Sequence, residues 1–416
     1  MDTGPAQGNA STPAFDAVPD CCALGYGSRR VGAGMADAVL IAAQAGRALA
    51  QAARRAGLRP FVADLFGDSD TLSLAEAYRP LPGRFGTAPA AAATLVAIDA
   101  LADRAGSTIG LILGSGFEEA PDLVARLAQR HRLIGASAET IAALKDPSAF
   151  SALCARLGVP HPATMTETPP EPANWLLKRT GGSGGSHIRA ATRAPAPAGC
   201  YFQRRVPGRS YALNFLADGQ TIHILAVTEQ WCAPSPIRPF RYAGALVRGA
   251  GEVPALPAGL AAAIAAGTER IVAETGLRGI GSADVLVDGA DWWLTEINPR
   301  PGATLDILDR RATPLLAAHI AACLGSMPDS GSQPADAAAA QICYADHELA
   351  PVPDHDWPDY VRDRPCPGSV VRRDAPLCTV LAEGADRAEV LALLESRTAR
   401  LRAVRAAQKP DPEEAQ

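Results

Sequence analysis

The stretch WLTEINPRPGATLD, Trp293 to Asp306, carries a carboxylate and a carboxamide two residues apart, followed by an arginine among prolines. In an extended segment successive side chains alternate faces, so Glu296 and Asn298 point one way and Ile297 the other. Upstream stands Asp284, separated from Glu296 by Asp288-Gly289, a dipeptide favoured at the tip of a two-stranded hairpin. Counting back from that turn, Asp284 can fall roughly opposite Glu296. Three convergent oxygen donors, left partly open, suit Mg²⁺ held jointly with nucleotide phosphates. Arg300 adds a fork-shaped cation for a phosphate or carboxylate. A solvated sheet edge could carry the same residues, but the adjoining Trp-Trp-Leu argues for a buried one.

A second stretch, LLKRTGGSGGSH (Leu176–His187), ends a strand at Lys178 and enters a run of glycine and serine: Gly181, Gly182, Ser183, Gly184, Gly185 and Ser186. Small residues leave backbone N–H groups free to surround phosphate oxygens, and their mobility suits a lid. No Gly-Lys-Ser/Thr opens a helix here, so it is not a Walker loop. A plain flexible hairpin loop has the same composition. In YFQRRVPGRSYAL a strand ends over Gln203 to Val206, and Pro207-Gly208 turns the chain, an arrangement able to offer backbone groups to an adenine edge.

Other candidates compete with plainer roles. Arg238 and Arg241, in WCAPSPIRPFRYAGAL, read as guanidinium groups held for an anionic substrate or an acyl phosphate; surface arginines look the same. His187 contacts phosphate or solvent. Asp306 supports the metal or opens a helix. Asp64 and Asp68 cap turns by default. In ADHEL, His347 and Glu348 are adjacent, so a strand sends them to opposite faces and no metal site is expected.

These groups need elements to position them. Ala36–Asp70 reads strand (Val39–Ala42), helix (Arg47–Ala56), strand (Pro60–Asp64), and the pattern repeats with a strand at Gly110–Leu113, a Gly-Ser-Gly turn, a helix opened by Glu118 and Glu119, and a strand starting at Arg132–Ile134. Such βαβ units predict a parallel, doubly wound sheet over residues 36–145. A helix over Pro147–Leu157, hairpin-like strands, an Ala-rich helix over Leu256–Thr275 and the Asp288-Gly289 hairpin predict an α+β region with antiparallel sheets over 146–325. Residues 326–340 have linker composition. Short strands and a helix over Arg387–Ala406 predict an α+β C-terminal domain over 341–406, with a polar tail at 407–416 and an irregular or disordered segment at 1–35.

The chain has 416 residues, 48% hydrophobic and 20% charged, a formal charge of −5 and a pI near 5.9. That is globular composition. No Lys/Arg block suggests nucleic acid, no run is apolar enough for a membrane span, and the start lacks a secretory pattern. Nine scattered cysteines without a CxxC suggest neither disulfides nor zinc and fit a cytoplasmic setting.

Taken in order, the lysine strand, the Gly-rich loop, the QRRVPG hinge and the Asp…Glu-x-Asn set resemble an ATP-grasp enzyme over residues ~36–310. The resemblance implies an ATP-grasp fold, mixed α/β and α+β, with an N-terminal doubly wound pre-ATP-grasp domain and a small β-rich C-terminal domain. It implies that Lys145, Lys178, Gly181, Gly182, Ser183, Gly184, Gly185, Gln203 and Val206 bind ATP. It implies Mg²⁺, with Mn²⁺ as a substitute, on Asp284, Glu296 and Asn298, and catalytic work by Arg300 together with Arg241. The hinge departs from the usual Gln-Glu: Arg204 follows Gln203, which puts a side-chain role for position 204 in doubt.

GRALAQAARRAGLRPFVADLFGD, GSGFE, EINPRPGATLD and PLCTVLAEG are similar more specifically to a predicted carboligase subgroup, distantly like biotin carboxylase. Its members accompany genes for one-carbon carrier cofactors of the tetrahydromethanopterin and methanofuran type. That implies an ADP-forming carboxylate–amine ligase in the biosynthesis of such a cofactor (tetrahydromethanopterin or methylofuran type), adding an amino acid such as glutamate. Its partners are ATP, a small carboxylate and an amine, with no nucleic acid or membrane, and a homodimer is left open. Two alternatives stand beside it: a bicarbonate-activating carboligase of biotin-carboxylase type, and a nucleotide-binding regulatory protein without turnover. The four methionines, at 1, 35, 165 and 327, make no Met-Lys-Met biotin attachment site.

Overall fold

The computed structural model describes residues 36–407. The expected N-terminal segment and all but the first residue of the expected tail lie outside them. In chain order come β1 (Ala38–Ala43), α1 (Arg47–Arg55), β2 (Arg59–Asp64), α2 (Ser69–Leu74), β3 (Ala77–Pro80), α3 (Ala91–Ala105), β4 (Thr108–Leu113), α4 (Pro121–Ala128), α5 (Ala138–Lys145) and α6 (Pro147–Arg156). Strands β1 to β4 form a parallel sheet in the order β3-β2-β1-β4. The sequence of β1, AVLIAA, is buried throughout, as a parallel strand covered on both faces must be. The C-terminal ends of β1 and β4 lead into the turns at Gln44–Gly46 and Gly114–Glu119, where a sheet of this type presents its ligand-facing edge.

Two expectations fail in this part. Glu118 and Glu119 do not open a helix: α4 begins at Pro121, whose fixed φ suits a first helical position, and the glutamates occupy the turn before it. The strand expected from Arg132 reduces to one bridge between Leu111 and Leu133.

Next come β5 (Thr164–Met165), β6 (Trp175–Arg179), β7 (Arg189–Ala190) and β8 (Cys200–Arg204), an antiparallel sheet in the order β5-β8-β6-β7. Then follow β9 (Arg209–Asp218), β10 (Ile222–Cys232), β11 (Tyr242–Val247), α7 (Ala258–Thr275), β12 (Arg278–Asp288), β13 (Asp291–Asn298), α8 (Leu305–Leu308), α9 (Leu315–Cys323), β14 (Ala337–Tyr344), β15 (Val361–Arg362), β16 (Pro376–Gly384) and α10 (Arg387–Ala407). The second sheet is antiparallel and eight-stranded, β13-β12-β9-β10-β11-β14-β16-β15.

That topology corrects the linker reading of 326–340. Its last four residues, Ala337–Ala340, start β14 and are buried; all four pair with β16, and Ala338–Ala340 also pair with β11. Alanine favours strands poorly, but burial between two partner strands overrides the preference. The C-terminal strands therefore extend the same sheet that carries β12 and β13. Helix α10 packs on β14 and β16.

Candidate active site

The hairpin β12–β13 closes through Gly289-Ala290, with Asp288 paired to Asp291 and Gly289 at φ +61°. Its register places Asp284 against Glu296 and Ser282 against Asn298, so all four side chains share one face. Asn298 donates from Nδ2 to Asp284 Oδ2 at 3.0 Å and to Ser282 Oγ at 3.3 Å. Lys145, the last residue of α5, reaches over this face: its ammonium donates to Glu296 Oε1 and, at 3.3 Å, to Asn298 Oδ1.

On the small sheet, Lys178 pairs in register with Tyr201 and donates to Gln203 Oε1 at 3.3 Å. The Nε2 of Gln203 is buried without a hydrogen-bond partner, a donor left over for the edge of a ligand. Arg204 is exposed and Val206 half-buried. Between the two sheets lies a cleft of about 380 Å³, counted out into open solvent, lined by Lys145, Lys178, Gly181, His187, Tyr201 and Glu296.

The Gly-rich loop covers this cavity. Gly184 accepts from Tyr242 N at 2.8 Å, and Arg179 pairs with Glu119 at 3.1 Å. Two glycines are required. A Cβ on Gly181 would stand 2.4 Å from Glu119 Cα, and one on Gly185 would stand 2.0 Å from the Phe240 carbonyl oxygen; both have φ +67°. The loop is thus seated on the β4–α4 turn and on the segment before β11.

The charges oppose one another. Burial pushes Asp284 up, the Glu296 carboxylate adds to it, and Lys145 and Arg300 offset only part, leaving it at about 6. Glu296 is raised by burial but pulled down harder by Lys145 and Lys178, to about 2. Burial would lower Lys178; Tyr201 and Glu296 outweigh it and hold it raised. His187 falls to about 4 through burial and the nearby Lys178, so the ring is neutral at pH 7.

A cation fits this donor set on two observations. The Oδ1 of Asp284 is buried with no hydrogen-bond partner, and Glu296 and Asn298 already hold an ammonium between them. Among the described residues no group of three or more His, Cys, Asp or Glu side chains could hold a metal ion by itself. The set here is two carboxylates and one carboxamide, which suits an ion whose remaining ligands come from phosphates.

Arg300 joins the cluster through Glu118: its Nε donates to Glu118 Oε1 at 2.7 Å, and Nη2 lies 3.5 Å from Asn298 Oδ1. Glu118, 3% exposed, also accepts from Gly116 N at 2.6 Å. Sequence reasoning noticed GSGFE but gave Glu118 no part in the site. Arg241 does not join. Its guanidinium pairs with Asp374, donates to the Ala233 carbonyl at 2.5 Å and lies over the Tyr344 ring at 3.8 Å, so the structure makes it a brace between the β10–β11 connection and the C-terminal strands. Arg238 likewise reaches Asp374. Asp306 is bound to Arg47. Asp64 accepts from Gly46 N and Gly67 N, both at 2.8 Å, as a turn cap does.

Comparison with known proteins agrees with this architecture. The ATP-grasp domain family matches residues 148–304. A search of curated proteins finds no significant sequence match. Among solved structures, an L-amino acid ligase from Bacillus licheniformis superposes with a TM-score of 0.65 at 14% identity, over 88% of this chain and 97% of that one. The biotin carboxylase of Campylobacter jejuni, in a β-γ-ATP complex, gives 0.64 at 16% identity, over 86% and 89%. The biotin carboxylase domain of the Hydrogenobacter thermophilus 2-oxoglutarate carboxylase, with MgADP and bicarbonate, gives 0.64 at 14%, over 84% and 86%.

The protein has the ATP-grasp fold, mixed α/β with antiparallel sheets, and carries an ATP-grasp domain at residues 148–304. It shares that fold with structures of biotin carboxylase and amino acid ligase type.

Proposed function

We propose that the protein joins a carboxylate to an amine through an acyl phosphate, with ATP converted to ADP. The observation that carries this reading is the meeting of Asp284, Glu296 and Asn298 across one hairpin, with Lys145 and Lys178 beside them under the Gly-rich loop. A carboxylate is a poor electrophile because oxide would have to leave. Its oxygen attacks the γ-phosphorus, the bond to the β,γ-bridging oxygen breaks, and ADP departs. An amine nitrogen then attacks the acyl carbon, and inorganic phosphate leaves with the C–O electron pair. The amine either arrives neutral or gives its proton to phosphate.

Asp284, Glu296 and Asn298 would hold Mg²⁺, which would supply charge neutralisation for phosphoryl transfer. Lys178, and Lys145 once released from Glu296, pair with phosphate oxygens. Residues Gly181 to Gly185 cover them and keep out water that would hydrolyse the acyl phosphate. Gln203 and Val206 meet the adenine edge. Arg300, oriented by Glu118, steadies the substrate carboxylate and the acyl phosphate.

The substrate reading rests on the sequence resemblance: a step in making a tetrahydromethanopterin- or methylofuran-type one-carbon carrier, with glutamate as the added amino acid. ADP release measured with glutamate and candidate acid or amine partners tests it. Turnover that requires glutamate and gives an amide of the expected mass supports it. Turnover that requires bicarbonate instead transfers the protein to biotin-carboxylase-like chemistry. Nucleotide binding with no turnover on any acid would leave a regulatory role.

A further inference from the structure

A second cavity, about 690 Å³ counted out to its open mouth, lies where three parts of the chain meet. The turns after β1 and β4 contribute Ala45 and Ser115, the segment after β13 contributes Pro301 to Ala303, and the C-terminal strands contribute Ile342 and Thr379. Its wall meets the Gly-rich loop, since Tyr242 N donates to the Gly184 carbonyl at 2.8 Å. Pro301 to Ala303 follow, after Pro299 and Arg300, the strand that carries Glu296 and Asn298. Tyr242, on its wall, feels the carboxylates of both Asp284 and Asp306.

The floor is Arg47, Asp306 and Asp363. Arg47 is 2% exposed. Its Nε donates to Asp363 Oδ1 at 2.9 Å and Nη2 to Asp363 Oδ2 at 3.2 Å. Nη2 also donates to Asp306 Oδ2 at 2.6 Å, and Nη1 donates to Asp306 Oδ1 and, at 3.4 Å, to Gln51 Oε1. A guanidinium has five N–H donors, and all of them have partners here. Asp70 stands a further 4.0 Å from Nε. The arginine therefore has nothing left for an anionic ligand. Against its one positive charge stand Asp306 and Asp363 with Asp70 behind, and carboxylate oxygens keep spare acceptor capacity. The rest of the wall near Ala48, Leu49 and Ile342 is apolar.

We propose that this cavity is the subsite for the amine, which enters as an ammonium held by Asp306 and Asp363 with an apolar body against Ala48, Leu49 and Ile342. The assignment deepens the ligase reading, rests on it, and gives glutamate the place of the acid, since carboxylates lining the pocket repel a dicarboxylate amine. It divides the labour between two charged surfaces: Arg300 faces the acid, and the saturated Arg47 pair faces the amine. Arg47 is a positioning residue that fixes the two carboxylates.

The test uses the full chain loaded with MgADP and a matched pair of probes, hexylammonium and hexanoate, titrated calorimetrically. Failure to bind MgADP would count against the ATP-grasp reading itself. With MgADP bound, the proposal expects hexylammonium to bind and hexanoate not to. It expects Asp363→Asn to weaken hexylammonium at least tenfold. Ala48→Phe, which fills the cavity without removing a charge, should do the same while leaving MgADP affinity unchanged, and it covers the case in which Asp363→Asn fails to fold. Preference for hexanoate, binding of neither probe, or unchanged hexylammonium affinity in Ala48→Phe would overturn the assignment.

Discussion

Lys145 and Glu296, 151 residues apart in sequence, form an ion pair in which the lysine is 8% exposed and also touches Asn298. The pair ties the end of α5, at the border of the first domain, to the last strand of the hairpin. In the free protein Glu296 balances Lys145 and Lys178, and under the proposed function it would also hold the metal.

Glu296→Gln should therefore cost both activity and stability. ADP formation should fall by about 10²-fold or more, since a charged ligand at the transferring phosphate is lost. The free protein should lose about 2 kcal/mol, because a buried ammonium is left without its counter-charge. Steady-state ADP release and urea unfolding check the two halves; full activity with unchanged stability would contradict the pairing.

Asp284→Asn should separate the same two quantities in the opposite sense. Its carboxyl, held at about 6 by burial and by Glu296, binds a proton in the folded state at pH values where the unfolded chain has released it. The folded state thus loses stability as pH rises from about 4 through 6, and ionised Asp284 costs about 3 kcal/mol at pH 7.5. The amide variant should melt higher than wild type without metal while its Mg²⁺-dependent turnover collapses. Thermal melts of the metal-free proteins at pH 7.5 and pH 4.5 read the difference, which should shrink at the lower pH.

Gly185→Ala forces a methyl group against the Phe240 carbonyl oxygen in a backbone conformation that alanine rarely adopts. The loop should no longer seat over the nucleotide. Turnover should fall at least tenfold, and ADP formed without product should rise, since water reaches the acyl phosphate. The ratio of ADP to amide product measures this; a ratio equal to wild type would show that the loop does not act as a cover.

His319, 1% exposed, accepts at Nδ1 from Ile280 N at 2.9 Å and faces the Ile134 carbonyl through Nε2 at 3.0 Å. Burial lowers it to about 4. A histidine depressed in this way stabilises the fold fully above its unfolded value near 6.5, and that contribution is lost as pH falls toward 4. The slope amounts to about 3 kcal/mol over that window, and His319→Asn should flatten it. Urea unfolding of both proteins at pH 7 and pH 4.5 checks the sign.

How much of this was legible in sequence depends on separation. The match of Asp284 to Glu296 needs more than the local turn and strand alternation: a one-residue bulge between Asp284 and Val285 brings Glu296, rather than Thr295, opposite Asp284. Lys178 and Gln203 were found because motif order brings their strands together, and β6 and β8 do pair. Arg47, Asp306 and Asp363 lie 259 and 316 residues apart along the chain, and no local signal joins them. Arg241 misled for the same reason: its loop displays arginines, but Asp374 and Tyr344, far along the chain, claim the guanidinium. Ala337–Ala340 resembled a linker because alanine says little about strands until their neighbours are known.

The account turns on a divalent ion gripped by Asp284, Glu296 and Asn298 together with nucleotide. Mn²⁺ binding, followed by electron paramagnetic resonance in the presence of ADP, measures this in wild type and in the Asp284→Asn/Glu296→Gln double variant. Nucleotide-dependent Mn²⁺ uptake in wild type, lost in the double variant while its circular dichroism spectrum is retained, is the predicted result. Equal uptake by both proteins would contradict it.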